Sequence, residues 1–437
     1  MNTNAQIDRR DFAKLLGAAG LLATTGRITR AAETNTAPSA KAPAASPRAP
    51  IAGTPAVFAP AADSATIVLP LNAPARGWIE FGTSPGNLDQ RSDGDALGFT
   101  PHDDRVLKIR LRGLAPGTRY WWRAACVALA PAAASAHSSN PPKEPTPVYT
   151  ATYSFATLAP AAAETNFVVW NDTHNHKDTL ARLAGLTSGT DATTRPDFLF
   201  WNGDIAASNN NETALIPQYY VHPAGVVDLA KGPPVFLARG NHDSRGLWAN
   251  KVLDYVDFPV ARETDAPRPY YAFRSGPLAA IVLETGEDKP DRHPSFRGLV
   301  AFEPLIAEQA RWLEKIIERP DIKNAPVKIV FCHLPLRWID ETPQDYFATP
   351  AGFDRFSKRG RDAWHASLVK WGARAVISAH VHRWTHIPAT AVFPYAQITG
   401  GGADSATARL LRARVTASEI KLTACDLTGR ETAAVTL

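Results

Sequence analysis

Cysteine is scarce and scattered. The chain has only Cys126, Cys332 and Cys425, an odd number at no regular spacing, which excludes a disulfide framework. Each lies in an apolar, strand-like stretch, so buried and inert thiols are expected. No apolar run reaches the ~18 residues that a membrane-spanning helix needs, so no stable membrane anchor is expected. Charge of one sign is also missing. The formal net charge is +5, and the first 31 residues hold a net +3 of it, leaving +2 on the remainder. That gives no footprint for binding nucleic acid or another polyanion. There is no internal repeat.

What is present suits two domains behind a processed leader, given 437 residues with 45% hydrophobic content. The most apolar N-terminal stretch, Leu15 to Thr25, is short, rich in Gly and Ala, and preceded by Arg9-Arg10-Asp11-Phe12-Ala13-Lys14. That order reads as a signal peptide over residues 1–32. The arginine pair before Phe12 resembles a twin-arginine export signal. Cleavage near Thr29-Arg30-Ala31, a periplasmic or secreted location, and the twin-arginine export machinery as partner of the precursor are the expectations. Residues 33–50 are mostly Ala, Pro, Thr and Ser, which read as a flexible tether.

Residues 51–158 read as all-β. Ala65 to Leu69 and Gly77 to Phe81 are short β-prone runs, and Arg105 to Leu111 alternates apolar and basic residues. The turn Gly113-Leu114-Ala115-Pro116-Gly117-Thr118 feeds the aromatic strand Tyr120-Trp121-Trp122-Arg123, and Tyr149 to Thr157 closes the set. Short strands spaced by turns imply a β-sandwich. An Ala/Pro-rich insert, Ala128 to Pro147, reads as a loop.

From about Ala163 to the end at residue 437, strands and helices alternate, the pattern of an α/β domain. Phe167 to Trp170, Phe198 to Trp201, Val235 to Ala238, Ile329 to Cys332 and Ala375 to Ile377 are buried-strand runs. Glu303 to Glu318 predicts a helix with Ile306, Ala310, Leu313 and Ile317 as its apolar stripe, flanked by Leu305, Trp312 and Ile316. Arg361 to Trp371 predicts another, stopped by Gly372.

Each of those five strands runs into metal-competent residues: Asp172-Thr173-His174, Gly203-Asp204, Gly240-Asn241-His242-Asp243, His333, and His380-Val381-His382. Sites in open α/β sheets form at the carboxyl ends of strands. Carboxylate oxygens, imidazole nitrogens and an Asn carbonyl suit manganese, iron or zinc, divalent or trivalent, without any thiol. Asp172 and His174, or His380 and His382, would point the same way along an extended segment and reach one small space. Two cations about 3.5–4 Å apart need a shared anionic ligand. Asp204, following a glycine that permits close approach, can supply it.

The ordered set D-x-H, G-D, G-N-H-D, H and H-x-H resembles the calcineurin-like metallophosphoesterase superfamily, over about Phe167 to Gly402. Gly400-Gly401-Gly402 also matches it. With a sandwich in front, the architecture resembles purple acid phosphatases and their bacterial relatives. The segment Gly113 to Tyr120 resembles the turn and tyrosine strand of fibronectin type III domains. The resemblance implies a four-layer α/β/β/α metallophosphoesterase domain over 163–437, preceded by an all-β fibronectin III-like sandwich. It implies two metal ions: Asp172, His174 and His382 on the first, Asn241, His333 and His380 on the second, and Asp204 between them. It places His242 near the leaving group, as general acid. Two positions depart from the pattern. Ala207 stands where purple acid phosphatases carry a tyrosine ligand, so no tyrosinate-bound ferric ion is expected. Ala379 replaces the usual glycine.

Arg245 and Arg337 follow ligand segments and are candidates for binding a phosphate by a bidentate pair; Arg383 has the same position. His176 reads as surface or as support for a ligand. Trp338 and Trp384 read as buried, and Tyr219, Tyr220 and His222 lie on a loop that could reach the substrate. The expected reaction is hydrolysis of a small phosphate monoester by metal-bound hydroxide. The alternatives are a phosphodiesterase at the same site and a non-catalytic surface binding protein that uses the β-sandwich.

Overall fold

The computed structural model describes residues 49–93, 98–129, 146–188, 195–209, 216–260, 267–339 and 354–437. The expected leader, nearly all of the tether, and the body of the 128–147 insert lie outside the described residues.

Nine strands come first: β1 (Ala56–Phe58), β2 (Ser64–Pro70), β3 (Ala75–Gly82), β4 (Gln90–Ser92), β5 (His102–Asp103), β6 (Val106–Arg112), β7 (Arg119–Ala128), β8 (Val148–Tyr149) and β9 (Tyr153–Ala156). β6 shows why alternation predicts a strand. Leu107, Ile109 and Leu111 are buried while Lys108 and Arg112 are exposed, because successive side chains face opposite sides. Those apolar residues meet Ile79, Phe81 and Trp122 of the facing sheet in one core. At the turn before β7 the Tyr120 hydroxyl accepts the Ala115 N–H at 2.9 Å. The expected closing strand is two strands. β8 and β9 both pair with β7, at Ala125↔Tyr149 and Tyr120↔Phe155, and Thr150 bonds Ala124 at the break.

The remainder alternates: β10 (Glu164–Trp170), α1 (Lys177–Thr187), β11 (Phe198–Asn202), α2 (Ile216–Tyr220), β12 (Val235–Ala238), α3 (Val252–Tyr255), β13 (Tyr271–Ser275), β14 (Leu278–Leu283), α4 (Phe302–Ile316), α5 (Pro320–Lys323), β15 (Val327–Cys332), α6 (Asp354–Trp371), β16 (Ala375–Ser378), β17 (Thr385–Ile387), β18 (Ala396–Thr399), β19 (Leu410–Thr416), β20 (Ile420–Cys425) and β21 (Glu431–Thr436). One sheet runs β21-β20-β19-β10-β11-β12-β1-β2-β6, and a second runs β13-β14-β15-β16-β18-β17. They share an apolar core. Phe200 stacks on Phe331 and Phe236 on Phe273, each at 3.9 Å between ring centroids. α1 packs on the far side of the first sheet, where the Trp170 indole donates to Thr187 Oγ1. α4 and α6 cover the second sheet.

The first sheet crosses from the β-rich region into the α/β region. Phe58 of β1 pairs in parallel with Val235 of β12, and the Ala59 N–H bonds the Val235 carbonyl at 3.1 Å. β1 is buried on both faces: Val57 lies in the core formed with β2, β3, β6 and β7, Ala56 and Phe58 in the core between the two large sheets.

α4 begins one residue before the expected start and ends two before the expected end. Its buried face is Phe302, Ile306, Gln309, Trp312, Leu313 and Ile316. Polar Gln309 is tolerated there because its amide pairs with both backbone groups of Glu284, at 2.8 and 2.9 Å. All three cysteines are free and buried, and burial pushes the Cys126 thiol up to about 12.

Candidate metal centre

β10, β11 and β12 pair in parallel, as do β15 and β16. Their carboxyl ends therefore gather on one side of the core, and the residues that follow are Asp172, Asp204, Asn241, His333 and His380. The loop backbone there is not extended, contrary to expectation. Asp172, His174, Asp204, His380 and His382 have φ of 46°, 44°, 50°, 69° and 55°. Alternation along a strand therefore does not align Asp172 with His174 or His380 with His382. Left-handed backbone does, folding each loop back on its strand. This conformation disfavours any residue with a Cβ, and strain of this kind concentrates at functional sites.

The side chains form two clusters that share one carboxylate. Asp172, His174, Asp204 and His382 make the first, and Asp204, His333 and His380 the second. In the first, His174 Nε2 lies 3.1 Å from His382 Nε2 and 3.6 Å from Asp204 Oδ2, and His382 Nε2 lies 3.6 Å from Asp172 Oδ1. In the second, His333 Nε2 is 3.3 Å from Asp204 Oδ1. Asn241 Oδ1 joins it, 3.1 Å from His333 Nε2 and 3.0 Å from His380 Nδ1. Donor atoms held about 2.0–2.2 Å from a common ion stand roughly 3 Å apart, so these edges fit a cation in each cluster. The donors fit as well: each cluster combines imidazole nitrogen with carboxylate oxygen, and the second adds an amide oxygen.

The charges agree with that fit. Asp172 and Asp204 are buried, and two carboxylates in a dry site demand positive charge. Burial alone would lower His333, but Asp204 and Asp172 outweigh it and push it up to about 10. The same negative field attracts a cation. Burial, with His333 beside it, depresses His380 to about 3, and burial depresses His174 to about 4. Both rings are therefore neutral, with a lone pair to give a metal. Burial raises Asp172. In Asp204 burial is outweighed by His333, His242 and His174, and its carboxyl is depressed.

Other groups hold the clustered donors. The His380 N–H donates to both Asp172 oxygens at 3.0 Å, and His333 Nδ1 bonds the Asn202 carbonyl at 2.9 Å. Asp243 ties three segments together. It accepts the N–H groups of Ile205, Ala206 and Gly240, plus the Tyr220 hydroxyl at 2.7 Å. Gly240 is required by contact: a Cβ there would sit 2.2 Å from Asp204 N and Oδ1.

His242 stands beside the clusters, with Nε2 4.0 Å from Asp204 Oδ2 and its N–H on Asp204 Oδ1. Its Nδ1 lies 2.7 Å from the Ala207 carbonyl and its Nε2 2.9 Å from Arg245 Nη1. A carbonyl only accepts and a guanidinium only donates, so the ring is neutral, with its proton on Nδ1. Arg245 thus reaches the clusters through His242. The rest of its guanidinium is held by Glu287 and Asp288 at 2.9–3.1 Å, a pair that sequence reading missed because it lies on a loop without a motif. Arg337 is buried elsewhere: Nη1 donates to the Pro388 and Tyr395 carbonyls, and the guanidinium lies over Phe393. Tyr220 braces Asp243, and His222 bonds Thr54 at 2.9 Å. His176 is the residue before α1, near Thr179.

The family model for calcineurin-like phosphoesterases matches residues 165–384, more than half of the chain. The chain belongs to the calcineurin-like phosphoesterase family. It is a metal-dependent phosphoester hydrolase. Among solved structures it is similar to the purple acid phosphatase PPD1 from seeds of yellow lupin (Lupinus luteus), with TM-score 0.64, 14% identity, and 87% of this chain and 73% of that chain covered. It is also similar to PhoD, with TM-score 0.58, 12% identity, and 89% and 93% covered. At such identities the likeness is one of fold. No curated protein sequence matches this calcineurin-like phosphoesterase at a significant level.

Proposed function

We propose that this phosphoesterase hydrolyses phosphate monoesters at a two-metal centre, outside the cytoplasm. The observation that supports the two-metal centre is the pair of donor clusters sharing Asp204. Asp172, His174 and His382 would hold one ion, Asn241, His333 and His380 the other, with Asp204 bridging. Bound there, two cations supply positive charge for phosphate oxygens and lower the pKa of water. The chain's own residues orient and exclude. Asp243 and Tyr220 fix the three loops, and the buried walls keep bulk water from the carboxylates.

His242 is proposed to serve the leaving oxygen. In the tautomer described, Nε2 accepts a hydrogen bond, so it must take up a proton and part from Arg245 to act as an acid. Arg245, anchored by Glu287 and Asp288, is proposed to orient that ring in place of binding phosphate directly. The twin-arginine leader is proposed to export the folded chain, and replacing Arg9 and Arg10 by lysine is expected to retain the precursor in the cell. The region 51–158 is proposed as a fibronectin III-like sandwich, supported by the Tyr120 hydroxyl that bonds back to Ala115, the brace found in related sandwiches.

The test is hydrolysis of chromogenic monoesters and diesters after loading with manganese, iron or zinc. Monoester turnover that vanishes on chelation is expected. Diester turnover alone would favour the phosphodiesterase reading. Failure on both, with metals bound, would leave the surface-binding alternative.

A further inference from the structure

A cavity of about 270 Å³ opens beside the first cluster, lined by Arg383, Trp384, Ala406, Thr407, Arg409 and Thr432. That is ample room for a small polar group. Three observations place it against the metal ligands. Arg383 directly follows the ligand His382, and its carbonyl accepts from Thr399 Oγ1 at 2.8 Å. Gly402 packs against both ligand and wall: a Cβ there would lie 2.8 Å from both His382 Cβ and Thr407 Oγ1. Val169 faces Leu411 across β10 and β19, so Arg409 stands beside the turn from Trp170 to Asp172.

Among the described residues that line it are two guanidinium groups and no carboxylate. Arg409 Nη1 donates to the carbonyls of Ala406 and Ala408 at 3.0 and 2.7 Å. Those bonds fix the group without neutralising it, and its buried Nε has no hydrogen-bond partner. Asp404, exposed nearby, holds the turn by its backbone, accepting from Thr407 and Ala408 N–H at 2.9 and 2.7 Å. It does not line the cavity. Guanidinium groups recognise carboxylate and phosphate through paired N–H donors.

We propose that this cavity is the leaving-group subsite, and that the natural substrate is a phosphate monoester whose alcohol carries a second anionic group, a carboxylate or a phosphate, held by Arg383 and Arg409. The inference rests on the phosphoesterase reading above. Water adds to phosphorus, the ester P–O bond breaks, the alcohol leaves with a proton, and the second anion is unchanged.

The experiment compares three alkyl monoesters of matched length, ending in a methyl group, a carboxylate or a phosphate, on the metal-loaded full chain. The expected kcat/KM is about tenfold or more higher for an anionic ester, chiefly through KM, and the preference shrinks with salt. Whichever anionic ester is favoured identifies the group. The preference should fall toward one in Arg409→Met and Arg383→Met and return in part in Arg409→Lys. A wild-type ratio of one overturns the subsite and leaves the phosphoesterase reading standing. A preference untouched by both methionine variants overturns its location. Absence of turnover on every ester overturns the phosphomonoesterase reading, and the subsite with it.

Discussion

Asp204 touches both clusters, and one substitution there separates its roles. Asp204→Asn keeps the shape and removes the negative charge that His333 and His174 face. Both ions are expected to be lost together, which elemental analysis of the purified variant will read. Retention of either ion at full occupancy would show that Asp204 does not bridge. His242 makes the opposite prediction. His242→Ala should leave the metal content unchanged and slow alkyl phosphates by about 10²–10⁴, the usual worth of a general acid. Nitrophenyl phosphate should suffer far less, because nitrophenolate leaves without a proton. Equal slowing of both substrates would assign His242 to structure. The clustered metal-competent residues were legible from sequence because each follows a run that must be a buried strand. The backbone that presents them was not. Nothing in Asp-Thr-His announces φ of 46° and 44°, because that strain is imposed by bonds from other loops, such as the His174 N–H to the Asp204 carbonyl at 2.8 Å.

Elements were read well where periodicity decides and poorly where tertiary contact decides. β6, β10, β11 and β12 lie within a few residues of expectation because apolar runs or alternation define them. α4 was read as a helix, yet Gln309 on its buried face carried no signal. Its place depends on Glu284, 25 residues away, whose backbone it pairs. Gln309→Ala should therefore leave a buried N–H and carbonyl without partners, at about 1–3 kcal/mol. A fall in the urea midpoint at unchanged slope will measure it, and an unchanged midpoint would mean that water replaces the amide. Arg337 illustrates the same limit: position after a ligand suggested phosphate, whereas Tyr395 and Pro388 carbonyls hold its guanidinium.

For the molecule as a whole, the β-rich and α/β regions were legible as two patterns, but their shared sheet was not, because pairing between β1 and β12 leaves no trace in either segment. Removal of residues 1–158 would strip β12 of one of its two neighbours and take Ala56 and Phe58 out of the inter-sheet core. The truncated chain is expected to be insoluble or to lack a cooperative melt. A soluble monomer with a sharp transition would show that the α/β region stands alone. The same pairing sets an order of assembly. Phe58 and Val235 lie about 180 residues apart, and contacts of such separation form slowly. During synthesis β1 leaves the ribosome long before its partner exists. An early strand must therefore wait, with one edge open, until the third ligand loop has been made, and the sheet's completion and the gathering of the ligands become one late event.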